Sequence, residues 1–198
     1  MDTKEKILIT ATELFLGKGY GVVGTSEICK NAGVNKGTFY HYFPSKSALL
    51  IATIERYAEE FRMAFVNISA SRDNPEDKIT ALFSVPADAN IRWKKKNGIS
   101  QGCLVGNMTL ELGTVDETVR QSVKDALRTW QHAIEPIIVE LINNGDIPAI
   151  QPSAGAELVV AMIQGGLVLA KSENDPGRLT SISLATVGAL SSLKQDTC

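Results

Sequence analysis

Cysteine and histidine are scarce in this chain of 198 residues. It has three cysteines, Cys29, Cys103 and Cys198, and two histidines, His41 and His132. The cysteines are odd in number and far apart, so they form neither a disulfide framework nor a zinc-binding pattern. We therefore expect no metal site and no bound cofactor. Cys29 is expected to pack inside the protein, and Cys198 to have no role.

Long apolar runs are also missing, although hydrophobic residues make up 44% of the chain. We find no run of about 18 consecutive apolar residues and therefore expect no membrane-spanning helix. The first residues, MDTKEK, do not open the apolar segment of a signal peptide. The composition predicts a protein with a sizeable core that stays in the cytoplasm.

The chain as a whole has no excess of positive charge, but its first 50 residues do. The net charge is −2. Residues 1–50 contain six lysines and four acidic residues, a net charge of +2, which leaves −4 for residues 51–198. A mildly basic head on an acidic body suits local contact with phosphates rather than general affinity for polyanions.

Helical periodicity runs through most of the chain, and the alternation typical of strands is nearly absent. Apolar residues recur at helical spacing in long segments that begin near residues 3, 46, 75, 116, 154 and 178. With a short helix between Gly102 and Gly113 and two more between residues 25 and 43, the pattern predicts an all-α protein of about nine helices. We expect Pro86 to kink or divide its helix and Pro136 to bend its helix.

Residues 25–46 have the layout of a helix-turn-helix. Thr25 can cap a first short helix, and Gly33 stands where a left-handed backbone would end it. Asn35 can cap a second helix, which Pro44 cannot continue. In that second helix, Phe39 and Phe43 share the inward face, and the outward face carries hydrogen-bonding side chains. The second helix of such a motif lies in the major groove of DNA.

The segment VNKGTFYHYFPSKSALL, residues 34–50, resembles the signature of the TetR family of bacterial transcriptional repressors. The resemblance extends from about Lys4 to Leu50 and is looser beyond. It implies a three-helix DNA-binding head over residues 1–46 and a larger helical domain over residues 47–198 that binds a small-molecule effector and dimerises. By this resemblance and by exposure, the side chains expected on base edges of double-stranded operator DNA are Lys36, Thr38 and His41. The residues expected on phosphates are Thr25, Gly37, Tyr40, Tyr42 and Lys46.

An effector pocket is expected in the larger domain. Small-molecule sites combine apolar and aromatic walls with a few polar groups. Filling the core is an equally good interpretation for any one of the aromatic residues. The predicted lining is Phe83, Trp93, Cys103, Asn107, Trp130, His132, Met162 and Gln164.

The last two predicted helices suit a homodimer interface. Residues 154–171 are apolar nearly all round the helix, and residues 178–193 carry an apolar stripe. Two such helices from each of two chains would make a four-helix interface. The residues expected there are Met162, Gly165, Gly166, Leu169, Leu179, Ile182, Ala189 and Leu193.

Cys103 leaves other functions open. The segment Gly102-Cys-Leu104 resembles one in some relatives whose cysteine senses oxidants or electrophiles, and a helix N-terminus favours a reactive thiolate. A redox-sensing or electrophile-sensing repressor is therefore an alternative to a reversible ligand sensor. The same pattern occurs in relatives without such a role, so a small, partly buried packing residue is the alternative for Cys103. A remote alternative is an enzyme that pairs Cys103 with His132. No third catalytic group is evident, and we expect no catalytic residues. An architectural DNA-binding protein without a ligand would not need so large an apolar body.

Overall fold

The computed structural model describes residues 2–193, and within that range it contains nine α-helices and no strand. This confirms the predicted all-α fold and the predicted order of helices. The helices are α1 (Thr3–Lys18), α2 (Thr25–Ala32), α3 (Lys36–Tyr42), α4 (Lys46–Ser69), α5 (Pro75–Asn97), α6 (Leu104–Leu112), α7 (Glu117–Asn144), α8 (Pro152–Ser172) and α9 (Arg178–Ser191).

Side-chain caps fix several of the helix ends where the sequence predicts them. Asn35 Oδ1 accepts the Thr38 amide at 2.8 Å at the start of α3. Ser45 Oγ accepts the Ala48 amide at 2.9 Å at the start of α4. The prediction for Thr25 is wrong, because α2 already begins at this residue, with Gly24 at the cap position and no side-chain cap.

The two internal prolines leave their helices continuous. Pro86 lies inside α5 and Pro136 inside α7, and neither divides its helix. A proline removes one backbone hydrogen bond, and tertiary packing can offset that loss. Pro86 is buried, and its carbonyl accepts a hydrogen bond of 3.0 Å from Asn90 Nδ2. Of the two outcomes expected for Pro86, a kink or a division of the helix, the division does not occur.

The helices form two compact units. Unit 1 comprises the chain through Glu59 together with Cys103–Ala126. Unit 2 comprises Glu60–Gly102 and the chain from Leu127 onward. The predicted boundary between two domains after residue 46 stays a prediction. The contacts show in addition that α6 belongs to the same unit as the helix-turn-helix.

In unit 1, α1 packs against α2 and α6, and α2 packs against α3. The centre of this unit consists of large apolar side chains with no exposed surface. Each of them contributes about 1.5–3 kcal/mol relative to an exposed position. They include Ile7, Phe15, Ile28, Phe39, Leu49 and Leu50.

In unit 2, α8 packs against α9, and α5 packs against both. Trp130 of α7 lies among aromatic rings of α4, with ring centroids 5.5 Å from Phe61 and 6.2 Å from Phe65. Such tilted and edge-on arrangements are the favoured geometries of aromatic pairs. Trp130 therefore fills the core of this unit.

Helix α8 bears on the expectation that the chain has no membrane-spanning helix. Its 21 residues are long and apolar enough to cross a membrane by length and composition, with a mean hydropathy of 1.6. The helix is not an uninterrupted apolar run, because it contains Glu157, Gln164 and Lys171. Its contacts with α9 and α5 give the apolar residues partners inside the protein, with 44% of the apolar window buried in the chain. We interpret α8 as a core helix.

Candidate DNA-binding surface and effector region

The turn between α2 and α3 sets the direction of α3. Gly33 has a left-handed backbone with φ of 62°, which glycine adopts at little cost. Its amide and that of Val34 bond back to carbonyls of the last turn of α2. Asn35 then caps α3. This turn therefore has the geometry that the sequence predicts, and it holds α3 beside α2.

Helix α3 has one buried and one exposed face. Phe39 is fully buried and Phe43 is 3% exposed, and their ring centroids are 6.3 Å apart. Tyr40 is 50% exposed and stacks edge-on against Phe39. The remaining polar residues divide into exposed and half-buried ones. Lys36, Gly37 and His41 are exposed, whereas Thr38 and Tyr42 are half-buried. The predicted outward face thus has solvent access, and its role on DNA stays a prediction.

Lys46 is engaged within the protein rather than extended into solvent. Its Nζ donates to the carbonyl oxygens of Tyr20 and Val23, each at 3.0 Å. The same ammonium lies 4.0 Å from the centroid of the Tyr20 ring, in cation–π geometry. Lys46 therefore stabilises the turn before α2, and this internal role was not predicted from the sequence.

Glu111 of α6 is a second residue with an internal role that the sequence did not predict. Its carboxylate accepts the amides of Tyr20 at 3.0 Å and Gly21 at 2.7 Å. The contact spans 90 residues of sequence, so no local pattern could have signalled it. Burial raises the pKa of the Tyr20 phenol above its ordinary value, and the negative charges of Asp116 and Glu111 raise it further.

The residues predicted for the effector pocket lie in both units. Cys103 and Asn107 belong to unit 1, and the others belong to unit 2. In unit 2, Phe83 is 1% and Trp130 is 2% exposed, which supports the core-filling interpretation for these two side chains. Trp93, Met162 and Gln164 are half-buried, and His132 is exposed.

Unit 2 also has a small cleft that the sequence did not suggest. It lies among α5, α7, α9 and the segment after α7, and its lining shares no residue with the predicted pocket. The lining is Glu76, Ile79, Leu141, Ile147, Val187, Leu190 and Ser191.

Cys103 stands at the start of α6, as predicted. It occupies the N-cap position, makes no side-chain cap hydrogen bond and is 3% exposed. The preceding Gly102 is fixed within unit 2 by Asn90, whose amide bonds to both the carbonyl and the N–H of Gly102. Cys29 is buried as predicted, and Cys198 lies outside the described residues. Residues 2–193 contain no cluster of three or more ligating side chains that could hold a metal ion.

The residues predicted for the dimer interface are not all available to a partner. A Cβ atom on Gly166 would lie 2.9 Å from Leu179 Cδ2 and 3.1 Å from Ile182 Cδ1 of the same chain. Leu179 is fully buried. Gly166 and Leu179 therefore hold α8 against α9 within one chain and offer no surface to a second. Gly165 and Leu169 are exposed, and Met162, Ala189 and Leu193 are half-exposed.

Comparison with known proteins matches both parts of the chain. Residues 7–53 match the model of bacterial regulatory proteins of the tetR family, and residues 76–185 match the tetracyclin repressor-like C-terminal domain. The transcriptional regulator AcuR of Cereibacter sphaeroides is 32% identical over 184 residues, covering 90% of this chain and 81% of AcuR. The repressor NemR of Escherichia coli K12 is 29% identical over 145 residues, covering 73% of this chain and 69% of NemR.

Solved structures agree with these matches over nearly the whole chain. The reduced form of Escherichia coli NemR superposes with a TM-score of 0.79 at 25% identity, covering 97% of this chain and all of that one. A TetR regulatory protein of Rhodobacter sphaeroides gives a TM-score of 0.81 at 28% identity, covering 93% of this chain and 96% of that one. One family match contains the helix-turn-helix and its exposed polar helix, and the other covers most of the larger helical part, so the chain belongs to the TetR family of bacterial transcriptional regulators.

Proposed function

We propose that this protein is a cytoplasmic, homodimeric transcriptional repressor that a small molecule releases from its operator DNA. The exposed face of α3 carries the proposal. Two buried phenylalanines anchor this short helix, so the hydrogen-bonding groups on its opposite side are held at the surface. Base edges in the major groove offer the donors and acceptors that such groups recognise.

A two-fold dimer would bring two copies of α3 to successive major grooves. Half-sites one helical turn apart are separated by about 34 Å, so a near-palindromic operator is expected. Regulators of this family bind operator DNA as dimers. The exposed apolar residues of α8 and α9, including Leu169 and Leu184, support an interface through these helices.

The test of DNA binding begins with a sequence that the wild-type protein selects from random double-stranded DNA. His41→Ala removes a proposed base contact and should weaken binding to that sequence by about 1–3 kcal/mol while relaxing preference at one position. Tyr42→Ala removes a proposed phosphate contact and should weaken binding to all sequences alike. Asn143→Ala, an exposed change in unit 2 that leaves the net charge unaltered, serves as the control.

Titration of fluorescent operator at several salt concentrations measures both effects. If His41→Ala and Tyr42→Ala are folded and bind the selected operator as tightly as Asn143→Ala, the assignment of α3 is wrong. If the wild-type protein enriches no sequence at all, the proposed function itself fails.

The effector is proposed to bind in the larger helical part of the chain, because residues 76–185 match the C-terminal domain of tetracyclin repressor-like proteins. A ligand that binds only the native state raises the free energy of unfolding by RT ln(1 + [L]/Kd), and the melting temperature rises with it. A thermal-shift screen of small metabolites and electrophiles should therefore find compounds that stabilise the protein. The proposal requires that some of these compounds also weaken operator binding. A compound releases the DNA only if it binds the DNA-free conformation of the protein more tightly than the DNA-bound conformation.

A redox-sensing or electrophile-sensing repressor is the second candidate, and the position of Cys103 favours it. The thiol stands at the N-terminus of α6, and the relative NemR has a solved structure of a reduced form. Mild peroxide or N-ethylmaleimide should then release the wild-type protein from operator, while Cys103→Ser stays bound. Cys29→Ser is the control for the other buried thiol. Release that persists in Cys103→Ser would leave Cys103 as a packing residue.

An enzymatic role for Cys103 and His132 gains no support. Cys103 is a buried residue of unit 1, and His132 is an exposed residue of unit 2. The family is one of transcriptional regulators rather than of enzymes.

A further inference from the structure

We propose that Glu111 is a positioning residue for DNA binding, whose carboxylate holds the turn that leads into the helix-turn-helix. The inference rests on the proposed function, because operator affinity is one of its readouts. Its other readout, amide exchange in the turn, does not depend on DNA.

Residues 19–24 form the turn between α1 and α2. The Gly19 N–H bonds to the Phe15 carbonyl of α1, and the Gly24 carbonyl accepts from amides of α2, whereas the backbone groups between these two ends lie outside both helices. Buried or ordered backbone polar groups outside helices need hydrogen-bond partners from other parts of the chain. Glu111 supplies two acceptor oxygens from α6: Oε2 accepts from Tyr20 N at 3.0 Å and Oε1 accepts from Gly21 N at 2.7 Å. Lys46 Nζ donates to two carbonyls of the same turn, each at 3.0 Å.

These two charged side chains bind the two kinds of backbone group in the same turn. The carboxylate takes the N–H groups and the ammonium takes the C=O groups, so each bond is charge-assisted. The turn is thereby fixed at both kinds of backbone group by α6 and by the first residue of α4. The carboxylate is solvent-accessible, which reduces the strength of its bonds.

The glycines of the turn make room for the carboxylate. A Cβ atom on Gly19 would lie 3.2 Å from Glu111 Oε2, and one on Gly21 would lie 3.3 Å from Oε1. Gly19 also has a φ of 83°, which disfavours other residues, whereas Gly21 has no such restriction. An alanine at position 21 would therefore disturb the contact mainly by crowding the carboxylate.

The contact between Glu111 and the turn affects the orientation of α3. The turn ends at Gly24, the N-cap of α2, and α2 packs directly against α3. A turn released from Glu111 allows α2 and α3 more positions relative to α6. Operator binding would then select one of several positions, which lowers the apparent affinity.

The first experiment measures operator affinity in Glu111→Ala, with Glu117→Ala as the matched control. Glu117 is an exposed carboxylate of α7 in the same unit, paired with Arg120. Both changes remove one negative charge, and this alone should strengthen binding to a polyanion. We expect Glu111→Ala to bind operator about 3- to 10-fold more weakly than Glu117→Ala.

The second experiment is a double-mutant cycle with Gly21→Ala. In the wild-type background the added methyl should displace the carboxylate and weaken operator binding by a similar factor. In the Glu111→Ala background it meets no carboxylate and should have no further effect, so the two changes are non-additive. A residue that merely adds general stability would give additive effects.

Hydrogen exchange at the amides of Tyr20 and Gly21 tests the contact without DNA. These amides should exchange faster in Glu111→Ala than in the wild type and the Glu117→Ala control. Equal exchange, operator affinity equal to the control, or additive losses in the cycle would each overturn the inference. A wild-type protein that selects no operator but shows the exchange difference would overturn the proposed function and leave the contact intact.

Discussion

At the scale of single residues, Lys78 is a buried cation. Its side chain is 4% exposed, and Nζ donates to both carboxylate oxygens of Glu140, at 3.0 and 2.7 Å, and to the Ser69 carbonyl at 3.1 Å. Glu140 is 43% exposed. The two partners therefore lose very different amounts of hydration on folding, and their removal should have different consequences.

We predict that Glu140→Ala destabilises the protein by about 1–3 kcal/mol, because it leaves a buried ammonium with one carbonyl partner. Lys78→Met should cost less, since the apolar side chain fills a similar space and the exposed carboxylate regains water. Urea unfolding measures both, with the exposed Glu157→Ala as control. A larger loss for Lys78→Met than for Glu140→Ala would show that packing of the lysine stem dominates.

Tyr20 gives a prediction for alkaline pH. Its pKa is raised in the folded protein, chiefly by burial, so the unfolded state ionises first as pH rises past the ordinary value of 10.0. The folded state then holds more protons than the unfolded one, and stability falls with pH. The contribution of Tyr20 should be complete below pH 10 and lost as pH rises through the folded pKa.

The comparison of wild type with Tyr20→Phe isolates this effect from the titration of the lysines. The difference in unfolding free energy between the two proteins should change above pH 10 and stay constant below it. A constant difference up to pH 11.5 would mean that Tyr20 ionises equally easily in both states.

At the scale of elements, two adjacent glycines of α8 have opposite surroundings. Gly166 faces Leu179 and Ile182 of α9, whereas a Cβ atom on Gly165 would meet nothing within 4 Å. Gly166→Leu should therefore overpack the contact between α8 and α9 and cost about 1–3 kcal/mol. Gly165→Ala should stabilise the helix by about 0.5–1 kcal/mol, because glycine is a poor helix former.

Thermal and urea unfolding distinguish the two glycines if protein concentration is held constant, since dimerisation also affects stability. Destabilisation by Gly165→Ala, seen together with weaker dimerisation, would place that glycine at a close contact between chains. Equal effects of both substitutions would contradict the asymmetry that the structure shows.

At the scale of the whole molecule, α8 and α9 expose apolar side chains that a dimer would cover. Val168 is 56% exposed, Leu169 42% and Leu184 66%. A charge placed at the centre of such an interface loses its hydration without gaining a partner. Leu184→Glu should therefore weaken dimerisation about 100-fold or more.

Sedimentation velocity over a range of concentrations measures this change. Leu110→Glu is the control, because Leu110 is 79% exposed but belongs to α6 in unit 1. A monomer from Leu110→Glu and an unchanged dimer from Leu184→Glu would place the interface outside α8 and α9.

Local signals in the sequence were sufficient to predict the helices and the buried and exposed faces of α3. Caps such as Asn35 and Ser45 act within three residues, and the spacing of Phe39 and Phe43 sets which face is buried. Helical periodicity also predicted α8, but it did not show that this helix is long and apolar enough to cross a membrane. These features depend on neighbours in sequence, and sequence alone therefore determined them.

Tertiary structure decided which residues serve contacts between distant segments. Lys46 was predicted to bind phosphate and is found bonded to two carbonyls of the turn before α2. Gly166 was predicted at a dimer interface and packs within its own chain. Glu111 carried no signal in the sequence, because its partners Tyr20 and Gly21 lie 91 and 90 residues away. Side-chain chemistry states which bonds a residue can make, but only the fold decides which donor or acceptor comes within reach.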